Sequence, residues 1–477
     1  MTPRLNRPVP ASARRAVPLM VALAVSLLSG CINLAPTLAR PALPVPAALP
    51  AADGAGTAAV AQPGWQGLVQ DDRLRQVIAL ALQNNRDLRV ALLNVQRSQA
   101  QLRLTDADRW PSLSAAALAQ RAPNSSTGKE TTTIQAGLQV SSYELDLFGR
   151  LRNASDAAAA TLVATEAGAR SARLTLLTQA ATAWLTLAAD GEQLALARQS
   201  LASREDTLKL TALREQVGAA SAIDLQSAQT LTASARASVA QLERQLAQDG
   251  NALQLVVGAP VPAALLPPAA LSSADWLARV PAGLASEALL ARPDVIQAEQ
   301  QLAAANANIG AARAAMFPRI TLSGSAGEVS SSLSTLFDSG HFAWTLAANA
   351  AVSIFDAGRN RASVAASEAS RDIAVATYEK AVQTAFREAA DALGAQSTWT
   401  RQLQAQLDLL AAERERTRLT RMKLQAGAAS LLETLDAERS LASAEQAAVQ
   451  VRLAELLNRL ALYKALGGDE AARAAAS

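Results

Sequence analysis

The chain is poor in the residues from which catalytic and metal centres are built. Its 477 residues hold one histidine, His341, and one cysteine, Cys31. One thiol excludes an intrachain disulfide, and no His/Cys/Met cluster suggests a metal site. A Walker loop and a dinucleotide fingerprint are missing too, and carboxylates such as Glu433 and Asp436 carry no catalytic signal by themselves. These absences argue against an enzyme and against a bound cofactor. Aromatics amount to only 3%. Proline is missing altogether from 150–216 and 359–425, and nothing there interrupts a helix. What the chain has in abundance is alanine, the best helix former, which also lets helices approach closely. Long, tightly packed helices are expected.

No apolar run is long enough for a comfortable membrane-spanning helix; the longest candidate, Ala16–Leu28, falls short. It follows Arg4, Arg7, Arg14 and Arg15 and precedes Leu28-Ser29-Gly30-Cys31, the pattern of a bacterial export signal over residues 1–30. Leu-Ser-Gly-Cys resembles a lipobox, so Cys31 is expected to carry a covalent diacylglycerol and an N-acyl chain; an ordinary signal peptide with a stray thiol is the alternative. Ile32, where an aspartate would retain a lipoprotein at the inner membrane, favours the outer membrane. Removing the signal changes the charge: 44 basic residues against 41 acidic ones become 40 against 41. The basic balance belongs to the signal, and nucleic acid is a poor candidate partner.

The chain also repeats itself. Pro111 lies 24 positions after Asp87, and Pro318 lies 24 after Asp294. From each proline, 37 further positions lead to Phe148-Gly149-Arg150 and to Phe355-Asp356-Ala357-Gly358-Arg359. Gly218-Ala219-Ala220-Ser221 recurs as Gly427-Ala428-Ala429-Ser430, and Gly258 as Gly467. Such spacing marks an internal duplication. The expected organisation is a signal (1–30), a Pro/Ala-rich tether (31–64) and a first repeat (65–259). A connector (260–286) with a short helix-like patch around Trp276 follows, then a second repeat (287–468) and a disordered tail (469–477). In each repeat a helix from Asp87 to Arg109, or its counterpart from Asp294, stops at a proline. A period of two takes over: Ile134, Ala136, Leu138 and Val140 alternate with Thr133, Gln135, Gln139 and Ser141, as in a strand with one apolar face. The second copy alternates likewise over 319–326 and 344–353. Ser112–Gln120 is expected to be the fourth strand. Two hairpins, at about 112–143 and 319–353, are thus expected, with loops at 121–130 and 328–340. Helices of about 67 residues over 150–216 and 359–425 follow, each roughly 100 Å long, and the returning helices carry an apolar seam of coiled-coil spacing.

Ten-residue strands of this kind cross a bilayer when tilted. Four cannot close a barrel, and an open edge in lipid leaves backbone groups unsatisfied. The strands must therefore come from several chains.

The motifs resemble the TolC/OprM family of outer-membrane efflux factors, in its lipoprotein (NodT-type) branch. The resemblance rests on Tyr143-Glu144-Leu145-Asp146-Leu147-Phe148-Gly149-Arg150, Arg292-Pro293-Asp294-Val295, Ala311–Ile320, Ile354–Arg359 and Leu462–Gly468, and it spans residues 65 to 468. It implies a mainly α protein with a membrane β part: a homotrimer with a twelve-stranded β-barrel and a long periplasmic α-helical barrel. It implies a periplasmic adaptor (membrane fusion) protein and an inner-membrane RND-type pump as partners, in efflux of small toxic compounds. An exit duct for polypeptides in type I secretion is the alternative, and a coiled-coil lipoprotein without transport is a third. By position after Gly427 the resemblance places a periplasmic gate at Leu432 and Asp436, where the first repeat has Ile223 and Ser227. Coiled-coil core for Leu432 and helix-dipole compensation for Asp436 remain open readings. The tips Gly218, Ala219, Ala220, Gly427, Ala428 and Ala429 are expected to dock the adaptor, a plain turn being the alternative. The family's Arg-Tyr pair before each tip is replaced by Arg214-Glu215 and Lys423-Leu424.

Overall fold

The computed structural model describes residues 33–46, 64–123, 128–279 and 286–468; the signal segment, Cys31 and the tail 469–477 lie outside them. A helical turn at Trp65–Leu68 precedes α1 (Asp72–Asn84), whose first N–H groups are taken by the Asp71 side chain. Asn85 breaks the chain before α2 (Arg86–Ala107): its Oδ1 accepts from Leu88 N–H and its Nδ2 donates to Val256 O. Strands β1 (Ser114–Pro123) and β2 (Glu130–Leu145) follow. Then come α3 (Arg150–Gln216, 67 residues) and α4 (Ala222–Val257). The second copy supplies α5 (Pro293–Ala314), β3 (Arg319–Ser330), β4 (Phe342–Ala351), α6 (Arg359–Gln425, 67 residues) and α7 (Leu431–Ala465).

Contacts divide the chain into two compact units, and neither is a repeat. Of the described residues, one unit gathers those up to Pro41 with those within Gln96–Val163 and Glu299–Ala376; the other gathers those within Ala42–Val95 and Ala164–Ala298 and those from Thr377 on. Each takes matching parts of both copies.

The first unit holds one antiparallel sheet in the order β1-β2-β3-β4. Ladder pairs such as Ala119↔Ile134, Leu138↔Ala326 and Ala326↔Trp344 gather the alternating apolar residues on one face. Gln120↔Thr133, Gln139↔Ser325 and Ser325↔Thr345 gather polar ones on the other. The strand bounds differ from the sequence reading. β1 begins at Ser114 and continues to Pro123, because Arg121–Pro123 still pair with Thr132–Glu130, and β3 runs on to Ser330. Backbone pairing does not end where the side-chain alternation becomes polar. Gly137 and Gly327 face each other at the centre; a Cβ on either would come 2.4 Å from a carbonyl oxygen opposite, Ala326 O or Ala136 O. The strands close in to a distance only glycine allows.

Sheet and helices are tied by the motif residues. Glu144 accepts from Arg150 (2.7 and 2.8 Å) and from Arg319, and Phe148 stacks on Phe317 at 4.7 Å. The second junction is built otherwise. Asp356 accepts from Gly358 and Asn360 N–H, across the two extra residues where Ala357 and Gly358 take positive φ. The tether is docked in part: Asn306 Nδ2 donates to Pro36 O (2.8 Å), Arg40 pairs with Glu299, and Gly310 lies so close that a Cβ would come 2.8 Å from Ala35.

The second unit holds the main core, centred on Trp184 and Trp276, which meet edge to face at 5.3 Å. The connector is pinned rather than helical at Trp276: Leu277 bridges Val69, and Trp184 Nε1 donates to Leu265 O. Buried Arg292 donates to Asp294, Glu388 and Ala465 O, which joins the start of α5 to α6 and to the C-terminal carbonyls of α7.

Candidate functional site

The recurring Gly-Ala-Ala-Ser is a complete helix-to-helix turn. Gly218 and Gly427 take φ +74° and +72°, the left-handed conformation that ends a helix. Gly218 N–H donates to Glu215 O and Ala219 N–H to Arg214 O, and Gly427 and Ala428 repeat this toward Leu424 O and Lys423 O. The serine then starts the next helix: Ser221 forms a reciprocal capping box with Asp224, and the Ser430 side chain accepts from Glu433 N–H. Gly218, Ala219, Gly427 and Ala428 are exposed, Ala220 and Ala429 half-buried.

Leu432 lies on the second turn's exit. It is 72% exposed, while its neighbour Leu435 is buried at 8%. The coil core is thus filled by Leu435, and Leu432 points away from it. Across from it, Ile223 of the first repeat is 77% exposed, and Ile223, Leu231, Leu432 and Leu435 line an apolar groove of about 530 Å³ between α4 and α7.

Asp436 bridges two helices. Its Oδ2 accepts from Arg416 of α6 at 2.7 Å and its Oδ1 from Arg439 of α7 at 2.6 Å, while Arg416 also holds Glu413. The Arg416 bond foremost, with the charge and bond of Arg439, holds the Asp436 carboxyl below the usual 3.8. The Asp436 carboxylate is thus compensated within its own chain. Nor does it serve the helix N-terminus, where Glu433 is the first-turn acid. Arg421 pairs with Glu438 (2.8 Å) and Thr417 donates to Ala437 O, so α6 and α7 are laced together over this stretch. Arg439 was legible in the sequence as a helix neighbour three residues on. Arg416 was not, because it comes from the other helix. Cys31, the lipidation candidate, lies outside the described residues.

Among the described residues no helix is long and apolar enough to cross a membrane. The sheet is the element with a continuous apolar face, and every residue of β4 is exposed.

A family model described as outer membrane efflux protein matches residues 77–259 and 284–468. The chain is 42% identical over 461 residues to the probable efflux pump outer membrane protein TtgC of Pseudomonas putida, covering 94% of this chain and 95% of that one. It is 40% identical over 460 residues to the outer membrane protein OprJ of Pseudomonas aeruginosa, with 94% and 95% covered. The crystal structure of the open state of the MtrE outer membrane channel of Neisseria gonorrhoeae has a TM-score of 0.82 at 34% identity, covering 91% of this chain and 98% of that one. A membrane protein from Pseudomonas aeruginosa reaches 0.84 at 39% identity, with 91% and 97% covered. The resemblance first carried by the motifs thus extends over both repeats, and the chain belongs to the outer membrane efflux protein family, a family of transport ducts rather than enzymes.

Proposed function

We propose that three copies of this chain form the exit duct of a tripartite efflux pump that expels small, apolar toxic compounds. The observation that carries this reading is near-full-length similarity to outer-membrane components named for efflux of toluene, antibiotics and solvents. A four-stranded sheet with one apolar face supports it: three copies give twelve strands, a number that closes a barrel. The helices would line a periplasmic tunnel. Cys31, with its diacylglycerol and N-acyl chain, would anchor each chain in the outer membrane.

Leu432 and Asp436 form the periplasmic gate in this proposal. The exposed Leu432 supports an apolar neck, and the Arg416–Asp436–Arg439 bridge supports a latch that holds α6 to α7 in the closed state. The small tips at Gly218, Ala219, Ala220, Gly427, Ala428 and Ala429 would receive the adaptor's helical hairpins, and an RND-type pump in the inner membrane would load the duct. The test places a single cysteine at Ala428→Cys in a form exported without Cys31, cross-links it in living cells and identifies the product by mass spectrometry. Capture of an adaptor of a proton-driven pump is expected. Capture of an adaptor of an ATP-driven exporter would move the function to type I secretion, and capture of neighbouring protomers alone would remove the tips from the docking surface.

A further inference from the structure

A polar hollow of about 180 Å³ opens where α3, α4 and α7 of the second unit converge. Small side chains leave the space: Ala197 and Ser200 on α3, Ser234 and Ala235 on α4, Ala442 and Ser443 on α7. A coil seam would carry larger apolar residues at such a meeting of helices. The volume is far more than one water requires, and its polar walls suit a solvated or charged occupant rather than a dry void.

One cation enters this hollow without a counter-charge. Arg204 of α3 is half-buried, and its Nη1 donates to Leu231 O of α4 at 3.0 Å. Among the described residues no carboxylate pairs with it. The acids around it are taken by other arginines. Neighbouring Glu205 accepts from Arg236 of α4 at 2.7 Å, and Glu445, on the wall of the hollow, pairs with Arg414 of α6 at 3.5 Å. Arg439 also lines the wall, but Asp436 already balances it. The hollow is left with one positive charge over. Around it stand the hydroxyls of Ser200, Ser234 and Ser443, one from each helix, which have no partner among the described residues.

We infer that this hollow binds a small inorganic oxyanion of the phosphate or sulfate class, with Arg204 as its charge partner and serine hydroxyls from three helices as further donors. A guanidinium can give two parallel N–H bonds to two oxygens of such an ion, and these charge-assisted bonds are stronger than neutral ones. Donors arriving from three helices suit a ligand with several acceptor oxygens better than a single halide. The bound ion joins α3 and α4 of the first repeat to α7 of the second, close to where Arg421 of α6 donates to Ser203 of α3 at 3.3 Å. Occupancy therefore stabilises this arrangement of the helices by mass action.

Equilibrium dialysis of radiolabelled phosphate against the full-length protein in detergent reads the site. A constant excess of sodium chloride keeps halide binding and diffuse surface charge from registering. Saturation at one phosphate per chain is expected, and Arg204→Gln is expected to weaken it at least about tenfold. Ser443→Leu fills the hollow from its exposed rim, leaves Arg204 in place and should weaken binding as much; it carries the test if the melting temperature shows that Arg204→Gln does not fold. Arg198→Gln, also on α3 but paired with Glu243, should bind like the parent protein. Saturation that neither hollow variant changes would place the anion elsewhere and overturn the inference. Equal weakening in Arg198→Gln would reduce the effect to surface charge and overturn it too. No saturable binding in the parent protein would mean that the hollow holds water alone.

Discussion

Arg416 reaches from α6 to Asp436 and holds Glu413 with the same guanidinium, so its loss releases two carboxylates at once. If this bridge latches the duct, Arg416→Ala or Asp436→Asn is expected to lower the inhibitory concentration of a bulky antibiotic about fourfold by leakage through the gate. Arg418→Ala, which removes a pair with Glu415 on the same helix, leaves it unchanged. Because the Asp436 carboxyl is held below its usual value, its ion pairs are present above that range and are lost only as pH falls through the lowered value; mild acid leaves the latch intact. Asp190 on α3 behaves in the opposite sense. Burial foremost, with a hydrogen bond and the like charge of Asp249 on α4, pushes its carboxyl from 3.8 up to about 7. A raised folded value favours the fold below the unfolded value, and that contribution is lost as pH rises through about 7. The melting temperature of purified protein is therefore expected to fall between mildly acidic and alkaline buffer. Asp190→Asn, which keeps a hydrogen bond and removes the charge, should flatten that dependence; an unchanged slope would acquit this pair.

At the scale of elements, glycines separate into those that make room and those that merely interrupt. Gly137 and Gly327 allow β2 and β3 to approach, and Gly137→Ala would drive a Cβ into the backbone opposite. A cost of about 1–3 kcal/mol or more is expected, read as a lower melting temperature of the purified protein. Gly394 in α6 has open space around it, and Gly394→Ala should instead stabilise by about 0.5–1 kcal/mol. Gly310 belongs to the first kind. Gly310→Val would push the arm at Ala35 off α5, and faster amide hydrogen exchange across residues 35–40 than in the parent protein is the expected sign. An unchanged rate would mean that Arg40 is held by its pair with Glu299 alone. These elements were unevenly legible beforehand. Helices over 150–216 and 359–425 could be read because proline is missing and glycine closes each one. The outer ends of the strands could not, since Arg121 and Glu328 look like loop residues until the ladder pairs them.

For the whole molecule, the duct lies downstream of any pump that would load it, and the polar face of the sheet carries small neutral groups such as Gln135, Gln139, Ser325 and Thr345. Such a surface can set how fast compounds leave but offers little to tell one apolar compound from another. Gln139→Ala with Thr345→Ala is expected to change single-channel conductance in planar bilayers while leaving the rank order of exported compounds unchanged. A reordering would place selection in the duct itself. The duplicated chain folds as two units that each draw on both copies, so neither repeat is a separate domain.

The sequence by itself determined the duplication, the long helices, the alternating strands and the turn chemistry of the tips. Each depends on spacing along one chain or on the conformational limits of single residues. It also brought Leu432 and Asp436 into view, but by resemblance and position. Only the tertiary structure decided that Leu435 fills the coil core and leaves Leu432 exposed, that Arg416 compensates Asp436, and that Arg292 ties the start of α5 to the middle of α6 and the C-terminal end of α7. Those contacts join residues far apart in the chain or on different helices. No periodicity encodes which side chain a packed neighbour will present, and that choice is made only when the helices are laid side by side.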